Sequence, residues 1–160
     1  MMSIINILYI SVAGNTRSFT QDLQDYAEEQ HSKDAANPLI SLKEVSEETD
    51  FESEQEPYFA FVPTYLDGGN GVDNGVKELM TNVLGEYIAY KDNRKLCLGV
   101  IGSGNRNFGL QYCLTAKRYA RDYGFEYLDN YELRGNTADC KRIYETMKKN
   151  NVLNTVSKEV

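Results

Sequence analysis

Histidine is nearly absent from this 160-residue chain. His31 is the only one, so neither a Ser-His-Asp triad nor a multi-histidine metal site can be assembled from it. It sits in a polar stretch at the end of a helix-like run and reads as a solvated surface residue. Cysteine is scarce too. Cys97, Cys113 and Cys140 are odd in number and form no CxxC, which argues against a disulfide framework or thiolate zinc site and for buried reduced thiols. No apolar run is long enough to span a bilayer, and the Met-Met-Ser start has no basic lead or small-residue cleavage site. The expected location is therefore the cytoplasm. Basic charge is in deficit: 17 Lys and Arg face 24 Asp and Glu, a net charge of −7. That balance disfavours non-specific attraction to nucleic acid or anionic membranes.

What is present is a core-forming composition, 41% hydrophobic, at a length that suits a single domain over residues 1–160. Strand and helix patterns alternate. Ile4 to Ile10 reads as a strand, and Thr16 to about Gln30 as a helix with Phe19, Leu23, Tyr26 and Ala27 on one face. Leu39 to Val45 alternates imperfectly, as an edge strand does, and the continuous apolar run Tyr58 to Val62 suits a strand buried on both faces. Then come a helix from Asp73 to Tyr87, a strand from Leu96 to Ile101 and a helix from Gln111 to Tyr123. A strand from Tyr127 to Leu133 and a helix from Thr137 to Lys149 complete the pattern, with a frayed tail after Asn150 (151–160). One crossover helix is missing, at Ser46 to Glu56. Glu47, Glu48, Asp50, Glu52, Glu54 and Glu56 stand there without a basic residue, as a solvated acidic connection or a docking surface for a basic partner. Such alternation predicts an α/β doubly wound sandwich with ligands at the carboxyl ends of the strands.

Three loops share that rim. The first, Ser11-Val12-Ala13-Gly14-Asn15-Thr16, joins strand to helix, where free backbone N–H groups and a partial positive charge attract anions. Ser11, Asn15 and Thr16 add side-chain donors, and Gly14 lets the backbone close in. The loop has no lysine and one glycine, so it satisfies neither GxxxxGK[ST] nor GxGxxG. A lone monophosphate suits it better than a triphosphate or dinucleotide; a plain turn with a helix cap is the alternative. The second loop runs from Pro63 to Gly71 and the third from Gly102 to Gly109. Their glycines allow close approach to a planar ligand or serve as ordinary tight turns. Tyr65 and Phe108 could stack on a flat ring or cover the core edge. A phosphate at one loop and a ring between the other two describes a mononucleotide cofactor.

The segments Tyr9-Ile-Ser-Val-Ala-Gly-Asn-Thr16, Pro63-Thr-Tyr65, Gly99-Val-Ile-Gly-Ser-Gly-Asn-Arg-Asn-Phe-Gly109 and Tyr131-Glu-Leu-Arg-Gly135 together resemble the NrdI family. These are flavodoxin-like FMN proteins that serve class Ib ribonucleotide reductase. The resemblance implies a flavodoxin-like five-stranded parallel sheet in the order 2-1-3-4-5. It implies FMN contacts from Ser11, Val12, Ala13, Gly14, Asn15 and Thr16 at the phosphate, and from Pro63, Thr64, Tyr65, Asp67, Gly68 and Gly69 near N5 of the ring. Ser103, Gly104, Asn105, Asn107, Phe108 and Gly109 would lie along the pyrimidine side. Position 13 departs from the usual pattern, since Ala replaces a hydroxyl residue and removes one donor. The acid- and amide-rich 67–74 loop is a second departure.

On the same resemblance, the reduced flavin converts dioxygen to superoxide. The superoxide is delivered to the dimanganese small subunit of the reductase for tyrosyl-radical assembly, and an unidentified flavin reductase supplies the electrons. FMN carries the redox chemistry, so no side chain is expected to act as acid, base or nucleophile, and no protein-bound metal is expected. A glycine carbonyl at Gly68 or Gly69 is the expected acceptor for the N5 proton. Arg106 is open to three roles: neutralising the acidic rim, meeting the partner, or an ordinary surface pair. Two other functions fit the residues less completely: a generic flavodoxin-type electron carrier, and a flavin-free interaction module built around the acidic segment.

Overall fold

The computed structural model describes residues 4–10, 14–63, 66–67, 77–78, 83–104 and 113–159, of which 66–67, 77–78 and 152–159 are described as backbone only. Strand β1 is Ile4–Tyr9, helix α1 Asn15–Lys33, β2 Leu39–Glu44 and β3 Tyr58–Pro63. Two short strands follow, β4 at Leu66–Asp67 and β5 at Lys77–Glu78, and then α2 at Val83–Ala89. After a 3-10 turn at Asn93–Leu96 come β6 at Cys97–Gly104, α3 at Leu114–Tyr123, β7 at Tyr127–Glu132 and α4 at Thr137–Glu159.

The main sheet is parallel, in the order β2-β1-β3-β6-β7. Counted within this sheet it is the expected 2-1-3-4-5, with β2 at an edge. The two faces are read directly from the strand period of two. In β3, Phe59 and Phe61 enter one core with Ile5, Ile7, Phe19, Leu23, Ile143 and Tyr144. Tyr58, Ala60 and Val62 enter the other with Leu8, Leu84, Tyr87, Ile88, Val100 and Ala116. Helices α1 and α4 thus cover one face and α2 and α3 the other, which is why β3 is apolar without alternation. Phe19, Leu23 and Ala27 of α1 are fully buried, and Tyr26 packs partly against the same core.

The larger departures from the expected boundaries are three, and a fourth expected boundary lies outside the described residues. Lys77–Glu78, expected within a helix from Asp73, is a strand paired antiparallel with Leu66–Asp67. The Gly- and Asn-rich stretch between them favours chain reversal over helix. Helix α3 begins at Leu114; the start at Gln111 lies outside the described residues. Strand β6 extends past Ile101 to Gly104, because Gly102, Ser103 and Gly104 keep parallel register with Val62, Pro63 and Glu132. Helix α4 stays helical through Glu159, where a frayed tail after Asn150 was expected; residues 150–159 contain neither Gly nor Pro to stop it.

The acidic segment forms no helix, as expected, but it is anchored as well as solvated. Asn93, 1% exposed, donates from Nδ2 to the carbonyls of Glu52 and Tyr87 (both 3.0 Å) and accepts at Oδ1 from the Glu54 N–H (2.7 Å). Lys43 reaches Glu54 at 2.8 Å and also pairs with Glu52, while the Tyr87 hydroxyl donates to Glu54. Burial, reinforced by Glu54, pushes the Tyr87 phenol up to about 12. Phe51 packs edge-on against Tyr87 and Tyr90.

Candidate functional site

The carboxyl ends of β1, β3, β6 and β7 meet at one rim. Gly14, at the head of α1, has φ +87°, and a Cβ there would meet nothing within 4 Å. Conformation rather than space therefore calls for glycine. Its carbonyl accepts the first helical bond, from the Ser18 N–H at 3.0 Å. Asn15 and Thr16 open the helix, leaving its first amide groups at the rim. Thr16 is 1% exposed, and its Oγ1 has no hydrogen-bond partner among the described residues. One turn on, the buried Thr20 hydroxyl donates to the carbonyls of Thr16 and Arg17 at 3.0 and 3.1 Å. Side chains in a helix lean toward its amino end, so the Thr16 hydroxyl lies over the first turn. An uncompensated buried hydroxyl costs on the order of 1–3 kcal/mol, which marks this as a place for an acceptor.

Pro63, buried at the end of β3, stands opposite Ser103 in β6, also buried. Gly104 ends β6 beside Glu132, and its carbonyl accepts the Leu133 N–H at 2.9 Å. The structure thus brings together Gly14, Asn15, Thr16, Pro63, Ser103 and Gly104 at the same end of adjacent parallel strands. Ser11, Val12, Ala13, Thr64, Tyr65, Gly68, Gly69, Asn105, Asn107, Phe108 and Gly109 lie outside the described residues, as does Arg106. Asp67 is described as backbone in β4, which with β5 brings the two ends of the 68–76 segment together. Gly102, in the stretch expected to be a loop whose glycines admit a planar ligand or form tight turns, has another use. A Cβ there would come within 2.8 Å of the Ala116 Cβ and 3.0 Å of the Cys113 Cβ, so this glycine lets α3 lie close on β6.

Residues 7–145 match the family described as NrdI Flavodoxin like. An NrdI-like protein of Streptococcus pyogenes serotype M18 is 47% identical over 146 residues, covering 91% of this chain and 93% of its own. Among solved structures, a short-chain flavodoxin associated with a PDU bacterial microcompartment aligns with a TM-score of 0.58 at 18% identity, over 96% of this chain and 99% of its own. A flavodoxin variant of Fusobacterium nucleatum bound to flavin mononucleotide aligns at 0.52 and 17%, over 93% and 97%. These two establish the fold. The chain belongs to the NrdI flavodoxin-like family.

In this NrdI-family chain the rim carries one further residue from outside the three loops. Arg134 donates from Nε to Asn15 Oδ1 at 3.0 Å, across 119 positions of chain. The signal was local: Leu-Arg-Gly directly after a strand, with a glycine able to turn the chain. Arg17 is the nearer cation in sequence, but it is committed elsewhere, gripping Glu44 with two bonds at 2.7 and 2.9 Å. That grip holds the Glu44 carboxyl below its ordinary range. Burial, with Glu44 adding to it, raises the Tyr9 phenol at the end of β1, so Tyr9 stays neutral beside the rim. No disulfide joins Cys97, Cys113 and Cys140. Burial pushes the Cys97 thiol up to about 12 and Cys140 up to about 11, leaving them poor nucleophiles at neutral pH. No helix among the described residues is long and apolar enough to cross a membrane.

Proposed function

We propose that this chain is an FMN flavoprotein that activates class Ib ribonucleotide reductase, delivering superoxide to the dimanganese small subunit for tyrosyl-radical assembly. The observation that carries the cofactor is the buried Thr16 hydroxyl, without a partner among the described residues, in the first turn of a helix headed by a left-handed glycine. A hydroxyl so placed fits a phosphate oxygen as acceptor, and the amides of the same turn supply further donors. Family membership carries the choice of flavin and of reductase. When bound, FMN supplies a two-electron store from which dioxygen takes one electron at a time, each transfer giving one superoxide anion.

The chain's own residues have a simpler task. Gly14, Asn15 and Thr16 hold the phosphate, with Ser11 as a further donor. Pro63, Ser103 and Gly104 set the spacing of the two loops that flank the ring, and Thr64, Tyr65, Gly68, Gly69, Asn107 and Phe108 are the contacts proposed within them. A net charge of −7 disfavours an additional negative charge on the ligand and so favours electron release. A flavin reductase of the host cell is the proposed electron source, and the cytoplasm the proposed location.

The test is an anaerobic reductive titration of the protein with one equivalent of FMN, followed by visible absorption, then admission of air. Stoichiometric binding, superoxide release on reoxidation, and radical formation in a manganese-loaded small subunit are the expected outcomes. Binding and reduction without superoxide would leave a flavodoxin-type electron carrier. Failure to bind FMN would overturn the flavin reading.

A further inference from the structure

The phosphate loop contains no cation, and the protein is acidic, yet an FMN phosphate is close to a dianion at neutral pH. We propose that Arg134, from the turn after β7, is the cation of the phosphate subsite, held there by Asn15. The inference rests on the flavin reading above and adds to it a residue from outside the three rim loops.

The bond itself fixes part of the chemistry. A guanidinium can only donate, so the Asn15 atom facing Arg134 Nε at 3.0 Å is the amide oxygen. That leaves the two N–H bonds of Asn15 as the groups with which it can meet an anion. Arg134 therefore orients Asn15 as a donor and keeps its own remaining N–H groups for the phosphate. Three acids of β7, α4 and β2 are paired with other arginines. Asp129 and Asp139 are paired with Arg142 at 2.9 and 3.0 Å, and Glu44 with Arg17 at 2.7 Å. Among the described residues Arg134 itself has no ion pair.

The turn that carries Arg134 is built to stay in place. The Leu133 N–H is bonded to Gly104, tying the turn to the end of β6, and the Gly135 N–H closes back on Glu132 at 2.9 Å. Gly135 has φ +69°, and a Cβ there would lie 2.4 Å from Phe19 Cδ1; only glycine lets the turn press onto the α1 side chain one turn below Asn15. Beyond it, Asn136 and Asp139 cap α4 reciprocally, each accepting the other's N–H at 2.9 Å. The backbone at Arg134 thus stands between two fixed points, and its exposed guanidinium is held by the bond to Asn15. The second sign of a ligand at the same helix end is the buried Thr16 hydroxyl.

The experiment compares FMN with riboflavin, which lacks the phosphate, by flavin fluorescence on the full-length apoprotein of wild type, R134Q and R134K. In R134Q the Kd for FMN should rise about tenfold while that for riboflavin stays unchanged, and R134K should fall between. Wild-type affinity for FMN should also decline with added salt more steeply than that of R134Q. A change of equal factor for both flavins, or no change for either, would overturn the proposal. Wild-type protein that binds neither flavin removes the flavin reading and this inference with it; wild-type protein that binds FMN and riboflavin equally tightly overturns the inference alone.

Discussion

At the amino end of β6 the buried Asn93 side chain makes three hydrogen bonds, to Glu52, Tyr87 and Glu54. At the opposite end of the parallel sheet the equally buried Thr16 hydroxyl makes none with the described residues. Each group is dehydrated to the same degree, so the difference lies in what each was placed to meet. The amino end ties the acidic segment to α2 with bonds completed within the chain. The carboxyl end keeps a donor, a helix terminus and an arginine whose partner is a neutral amide. A buried group completed internally supports the fold, whereas one left incomplete calls for an explanation outside the fold's own bonds.

The comparison is most easily broken at Asn93. Asn93→Ala leaves one buried N–H and two carbonyls without their partner, which should cost about 3 kcal/mol in urea unfolding and leave the FMN Kd unchanged. A loss below about 1 kcal/mol would show that water reaches the site and that the two ends differ less than the bonds suggest. Gly135→Ala forces a Cβ toward the Phe19 ring at a left-handed position. It should cost about 2 kcal/mol and, by displacing Arg134, also weaken FMN relative to riboflavin.

Thr16→Val sharpens the contrast through opposite signs. Removing an unsatisfied hydroxyl from the apoprotein should leave stability unchanged or raise it by about 1 kcal/mol, while the rise in Tm produced by FMN becomes smaller. Thermal unfolding with and without FMN reads both effects; a destabilised apoprotein with an undiminished FMN shift would remove Thr16 from the site. The smallest effect is expected at Glu44. Its carboxyl is held below its ordinary value of 4.5 by Arg17, so its contribution is fully present above that value and is lost as pH falls through the lowered one. E44Q should therefore flatten the acid limb of the stability curve below about pH 4.5, with little change at neutral pH, as urea titrations across that range would show.

Much of the fold was legible because it depends on local pattern. The double-sided apolar run Tyr58 to Val62 required a central strand, and Phe19, Leu23 and Ala27 recur at the spacing of one helical face. Gly14 was legible as the glycine of the first loop, but its left-handed conformation came only with the structure. Less was readable where composition misleads. The glycines of β6 suggested a loop from Gly102, but only the approach of Ala116 and Cys113 reveals that a side chain at 102 would block α3. The helix expected from Asp73 gave way at Lys77–Glu78 to pairing with Leu66–Asp67, a contact that no local window contains.

The amino-acid sequence by itself determined the alternation of strands and helices, the two apolar faces, the acidic surface and the rim on which a phosphate could sit, because each follows from the nature and spacing of neighbouring residues. Tertiary structure decided which buried polar groups are completed and which are left open. Asn93 meets residues 39 and 41 positions before it as well as Tyr87, Arg134 meets Asn15 across 119, and the Thr16 hydroxyl meets none described. Hydrogen-bond satisfaction belongs to pairs of groups, and such pairs exist only once the chain has brought its distant parts together.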